Sequence, residues 1–169
     1  MRDGEASSGV ALALLAPGVL VSDRPVCPYE QLIGSWEVAA ISFGDDVAIR
    51  EAAGEWHFSW TLGGWGGQDV LFLKRASPDQ RGTTIRCYDQ STDCWRVAWM
   101  APMGGEFVTL SGHSDNGLIV QQGVSYDGSS HQRWTFSDVT DQGFVWRGET
   151  STDGGHEWRL DQEMRATRR

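Results

Sequence analysis

The chain lacks helical spacing. Between Gly34 and Ala166 its apolar residues do not recur at intervals of three and four, which excludes a helical domain over that span. It lacks the ~20 consecutive apolar residues that a membrane helix needs, so no membrane partner is expected. It lacks a basic patch: the net charge is −9, which argues against a nucleic-acid partner. Arg165, Arg168 and Arg169 make a small basic tail, which reads as solvated ends. Cysteine is scarce and odd in number. Cys27, Cys87 and Cys94 fit no zinc spacing and no disulfide framework, a pattern that suggests a cytoplasmic protein. Cys87 and Cys94 flank one expected hairpin turn, and a bridge between them stays open as an alternative. There is no Gly-x-Ser-x-Gly elbow, no nucleotide loop and no dinucleotide fingerprint. His57, His113, His131 and His156 are scattered, so neither a metal nor another cofactor is expected.

What the chain does have is alternation. Ten short segments place apolar residues at every second position: 34–43, 54–62, 68–75, 82–89, 94–100, 106–113, 118–126, 131–137, 143–150 and 156–166. Turn residues separate them, among them Gly63-Gly64, Asp89-Gln90-Ser91, Asn116-Gly117, Asp127-Gly128 and Asp153-Gly154-Gly155. Strands this short, in unbroken series, bury a face only by curling up. The expected fold is all-β: an up-and-down antiparallel barrel of about ten strands. Its first and last strands run antiparallel and can close the sheet without leaving an edge.

Nine tryptophans fall mostly on the apolar faces. Trp36 would plug one end. Inward-facing Trp56, Phe58, Trp60, Trp95, Trp99, Trp134, Trp146 and Trp158 would line a cavity, joined by Trp65, Met100 and Met103 from the rims. A one-residue slip would instead bury Glu55, His57, Arg86, Arg96, Arg133 and Arg159, at a far larger free-energy cost, so the indoles should face in. That reading puts the arginines on a polar outer face with Tyr88, Arg147 and Glu149, paired across strands. Asp69 sits in the apolar strand Gln68-Asp69-Val70-Leu71-Phe72-Leu73. Facing inward, it would be the first candidate for proton transfer, with Tyr88 and His57 in reserve.

The first 33 residues differ. Val10–Val21 is apolar, but Asp3 and Glu5 precede it where a secretory signal would be basic. Ser7 or Ser8 could cap a short helix through Leu15, ended by Pro17-Gly18. The expected organisation is an arm or lid over 1–33 and a barrel over 34–169. The arm would plug an end or reach a second subunit, which makes a homodimer the expected assembly if one forms.

Leu32-Ile33-Gly34-Ser35-Trp36-Glu37-Val38 resembles the Gly-x-Trp first strand of lipocalin-like, calycin-type barrels. Gly54-Glu55-Trp56-His57-Phe58, Thr83-Thr84-Ile85-Arg86-Cys87-Tyr88-Asp89, Asp93-Cys94-Trp95-Arg96-Val97-Ala98-Trp99 and Trp146-Arg147-Gly148-Glu149 narrow the likeness to a bacterial, largely actinobacterial, lipocalin-like family of unknown function. The resemblance covers about 34–166 and implies the fold, with no catalytic set. Two stretches depart from it: Gly63-Gly64-Trp65-Gly66-Gly67, and Met100-Ala101-Pro102-Met103-Gly104-Gly105. Both suggest rims reshaped for an apolar ligand. Glu37-Val38-Ala39-Ala40 lacks the glycine-rich continuation expected of haem-binding barrels. By analogy with related small barrels, the expected function is cofactor-free cyclisation or isomerisation of a small apolar, polyketide- or terpenoid-like molecule. The alternative is a non-catalytic carrier of such a molecule.

Overall fold

Ten antiparallel strands close on themselves, each bonded to its neighbours in the chain and the last to the first. They are β1 (Gly34–Ser42), β2 (Arg50–Thr61), β3 (Gly66–Lys74), β4 (Gln80–Asp89), β5 (Cys94–Ala101), β6 (Glu106–Asp115), β7 (Leu118–Ser125), β8 (His131–Ser137), β9 (Gly143–Ser151) and β10 (Arg159–Arg168). This computed structural model describes residues 27–44, 50–74 and 80–169. The expected helix of the N-terminal arm lies outside the described residues. Helix within them is limited to short 3-10 turns at Glu30–Leu32 and Leu62–Gly64, and no helix among them is long and apolar enough to cross a membrane.

Alternation sets which way each strand faces. Trp36, Val38 and Ala40 of β1, Trp56 and Phe58 of β2, and Leu71 and Leu73 of β3 are buried. So are Trp95, Val97 and Trp99 of β5, Phe136 of β8, and Phe144 and Trp146 of β9. Burying such side chains is worth about 1.5–3 kcal/mol each, which pins the register. The outer face carries cross-strand ion pairs as expected: Arg133 grips Glu149 with two bonds of 2.7 and 2.9 Å, and Arg147 meets Glu163 at 2.9 Å.

One end of the barrel is shut by Trp36. Its indole N–H donates to the Leu32 carbonyl at 2.7 Å. The Arg168 guanidinium lies 3.9 Å from the ring centroid, on the other strand of the seam, where Trp36 pairs with Arg168. Arg168 also donates to the carbonyls of Ile33, Gln31 and Asp141 at 2.8, 3.2 and 2.9 Å. This corrects the expectation of a solvated tail for Arg168, which locks the closed end by stacking on the indole and reaching those carbonyls together, while Arg165 and Arg169 are exposed as expected. Above this plug, Tyr29, Phe58, Trp95, Phe136 and Phe144 fill the lower barrel.

Two strands face differently from the expectation. In β4 the inward positions are Gly82, Thr84 and Arg86, while Ile85 is 44% exposed. The neighbours force this parity. Thr84 lies opposite Trp99 and Asp69, so turning Ile85 inward would turn those away from the core. In β10 a bulge between Leu160 and Gln162 inserts one residue and shifts the pairing with β9. Trp158 precedes that strand and lies outside the barrel, against the Arg133 guanidinium at 4.2 Å. Cys87 pairs with Arg96 and Cys94 with Asp89, and all three cysteines are free thiols.

Candidate functional site

The upper half of the barrel holds a cavity of about 350 Å3. Its walls are four indoles: Trp56 from β2, Trp99 from β5, Trp134 from β8 and Trp146 from β9. They meet edge to face in a chain. Trp99 and Trp134 are 6.2 Å apart at 87°, Trp134 and Trp146 are 5.7 Å apart at 62°, and Trp146 and Trp56 are 6.2 Å apart at 81°. This is the favoured geometry for aromatic pairs, so the wall supports itself. Leu71 and Val108 complete the apolar lining.

Two glycines make room for the indoles. A Cβ on Gly82 would stand 2.0 Å from the Trp99 ring, and one on Gly148 would stand 2.5 Å from the Trp146 ring. Both glycines lie mid-strand, where any side chain would push an indole into the cavity.

The inner wall of the cavity is charged but neutral in sum. Asp69 and Arg86, on adjacent strands, form an ion pair with side chains 0% and 2% exposed. Asp69 also accepts the Trp56 indole N–H at 2.8 Å and the Thr84 hydroxyl at 3.2 Å. Donors from β2 and β4 therefore occupy both its oxygens. Arg86 lines the cavity and Asp69 stands behind it. The guanidinium carbon is 4.8 Å from the Tyr29 ring centroid and 5.7 Å from that of Phe58, so aromatic faces support the cation from below. Burial pushes the Tyr29 phenol up, and the neighbouring Arg86 pulls it partly back. Arg86 Nε has no hydrogen-bond partner among the described residues.

The remaining lining is polar: Gln80, Glu106, Gln132, Asp161 and Gln162. Glu106 accepts the Trp99 indole N–H at 3.0 Å and so fixes that ring. Asp161 accepts from Arg159 at 2.9 Å. No metal-ligating group of three or more His, Cys, Asp or Glu occurs among the described residues.

Of the residues singled out in the sequence, Trp56, Trp99, Trp134 and Trp146 converge on this cavity. Phe58 and Trp95 belong to the packed core below it, and Trp60 packs against that core. Trp65 stacks near Tyr88, with ring centroids 6.5 Å apart, beside the turn joining β2 to β3. Met100 lines an outer groove, and Met103 is exposed in the turn joining β5 to β6. Asp69 faces inward but lies off the cavity lining. Tyr88 donates to Asp93 in an exposed turn, and that contact raises its pKa. His57 bonds Ser35 at 2.9 Å and Glu55 at 3.2 Å on the outer face.

Sequence reasoning missed Arg86, Glu106 and Gly82. Two signals pointed to Arg86 and Gly82. An inward Asp69 demanded a cation on a facing strand, and a glycine at an inward position of a strand marks close approach by something bulky.

The fold is a closed ten-stranded, lipocalin-like β-barrel with an aromatic-lined cavity. Solved structures similar to it include that of Rv2717c from M. tuberculosis, at 11% identity and a TM-score of 0.57 over 83% of this chain and 94% of that one. Another is the S-type phycobiliprotein lyase CPES from Guillardia theta, at 8% identity and a TM-score of 0.58 over 83% of this chain and 90% of that one. At these identities the likeness is one of fold. Set against family models and curated proteins, the sequence matches none.

Proposed function

We propose that the barrel binds one small, largely apolar molecule between its four cavity indoles and holds it in a single conformer. One observation carries this reading. Gly82 and Gly148 keep the Trp99 and Trp146 rings back against the wall, and the space so kept is bounded by aromatic faces. A volume of about 350 Å3 sits at the small end of ligand pockets. Binding with return of the ligand unchanged, as in a carrier, is the simpler function this geometry supports.

Cofactor-free cyclisation or isomerisation is the second reading. Arg86 favours it, because a fixed donor on the cavity wall can polarise a carbonyl oxygen, while the indoles select a reactive conformer. In that mechanism Asp69 orients Arg86 and does not itself exchange the proton. A similar barrel that is named a lyase supports keeping this reading.

The test is titration with N-phenyl-1-naphthylamine, a neutral apolar probe. Saturable 1:1 enhancement of its emission, with matching quenching of tryptophan, is expected. Absence of saturation would overturn the reading. Recovery of a bound small molecule chemically changed would decide for the enzyme.

A further inference from the structure

The charges on the cavity wall say what kind of apolar molecule it takes. We infer that the ligand is an organic cation, an amine or alkylated ammonium on an apolar or aromatic body; this rests on the binding reading above.

Among the described residues Arg86 is the only Lys, Arg or His on the lining, and Asp69 already neutralises it. A carboxylate ligand at Arg86 would crowd two anions around one guanidinium that is itself buried. Such a pair of like charges cannot both stay ionised without a second cation. None stands there among the described residues.

The lining carries instead two carboxylates, Glu106 and Asp161, and three amides, Gln80, Gln132 and Gln162. Asp161 has Arg159 as its partner. Glu106 stands at the exposed rim of the cavity and has no ion-pair partner among the described residues; its bond to the Trp99 indole holds it over the opening without neutralising it. The Gln80 carbonyl oxygen is buried with no hydrogen-bond partner among the described residues, which leaves an acceptor unfilled on the same wall. The unfilled Gln80 acceptor and the unneutralised rim carboxylate suit a donor with positive charge, while the unfilled Arg86 Nε donor, on a cation already paired with Asp69, suits at most a neutral acceptor.

The indoles add to this. A ring face attracts a cation, tryptophan most strongly, and the attraction grows where water is excluded. Trp99 joins both features, since its ring lines the cavity and its N–H holds Glu106. A chain of net charge −9 also raises the local concentration of cations.

Three matched compounds test the inference by calorimetry: tryptamine, 3-propylindole and indole-3-propionate, which share a ring and differ in charge. Tryptamine should bind about tenfold or more tighter than 3-propylindole, and indole-3-propionate weakest. Glu106→Gln keeps an oxygen for the Trp99 bond and should remove the difference between tryptamine and 3-propylindole. Propionate binding as tightly as tryptamine, or an ammonium advantage that survives Glu106→Gln, overturns the charge assignment and leaves the cavity reading standing. If none of the three binds, the cavity reading fails, and the inference with it.

Discussion

Arg168 lies over Trp36, its guanidinium carbon 3.9 Å from the ring centroid, while its three nitrogens donate to three separate carbonyls. One side chain thus ties the last strand, the first strand and the turn before it. Arg168→Met keeps the apolar stem and loses the donors. It should destabilise the barrel by about 2–3 kcal/mol, given that hydrogen bonds to charged groups are worth more than neutral ones. Arg168→Lys should recover less than half, because an ammonium cannot stack and fork at once. Urea unfolding midpoints measure both, and an unchanged midpoint for Arg168→Met would refute the locking role.

Asp69 and Arg86 form the second such tie, and here both partners are buried. Asp69→Asn leaves an unpaired cation in the core and should lower stability by about 3–5 kcal/mol. Replacing both, as Asp69→Leu with Arg86→Met, should restore most of the loss while removing the donor from the cavity wall. Denaturant unfolding of the two variants settles the point. An Asp69→Asn protein as stable as the parent contradicts the pairing.

Gly82 sets the depth of the cavity. Its backbone conformation is ordinary, so Gly82→Ala acts only by displacing the Trp99 ring that now fills the space of a Cβ. Probe affinity should fall tenfold or more, with a stability loss of about 1–3 kcal/mol from overpacking. Equal affinity in the variant would show that Trp99 does not border the ligand.

The hairpin turns should make the protein acid-sensitive. In the turn between β7 and β8, bonds from Ser125 and Ser129 lower the Asp127 carboxyl from 3.8 to about 2. Bonds from Ser91, Thr92 and Arg96 lower Asp89, and the Glu157 amide and the Ser151 hydroxyl lower Asp153. A folded-state pKa below the unfolded one gives stability that is full above the unfolded value and is lost as pH falls through the folded value. The melting temperature should therefore decline from pH 3.8 towards about 2 and beyond, and Asp127→Asn should flatten part of that decline. A melting temperature that is level across this window would contradict it.

The barrel was legible in the sequence because alternation and turn chemistry are local. Trp36-x-Val38-x-Ala40 and Trp95-x-Val97-x-Trp99 announce their own faces. The four cavity indoles followed from the same rule. What stayed hidden depends on partners far along the chain. Arg86 reads as an outward charge until Asp69, 17 residues away, is placed against it. Arg168 reads as a frayed end until Trp36 stands opposite. The bulge after Leu160 breaks the alternation that would otherwise have carried Trp158 inward. Glu106 gave no signal, since its neighbours in sequence are a turn and its role comes from Trp99 across the sheet.

The most direct test of a ligand in the upper barrel is the indole N–H region of the 15N–1H spectrum, with nine tryptophans as site-resolved reporters. N-phenyl-1-naphthylamine should shift the signals of Trp56, Trp99, Trp134 and Trp146, assigned by Trp→Phe substitution. It should leave those of Trp36, Trp65 and Trp158 in place, because these lie at the closed end, at the turn joining β2 to β3 and on the outer wall. Shifts confined to Trp65 or Trp158, or no shift at saturating probe, would contradict a ligand site between the four cavity indoles.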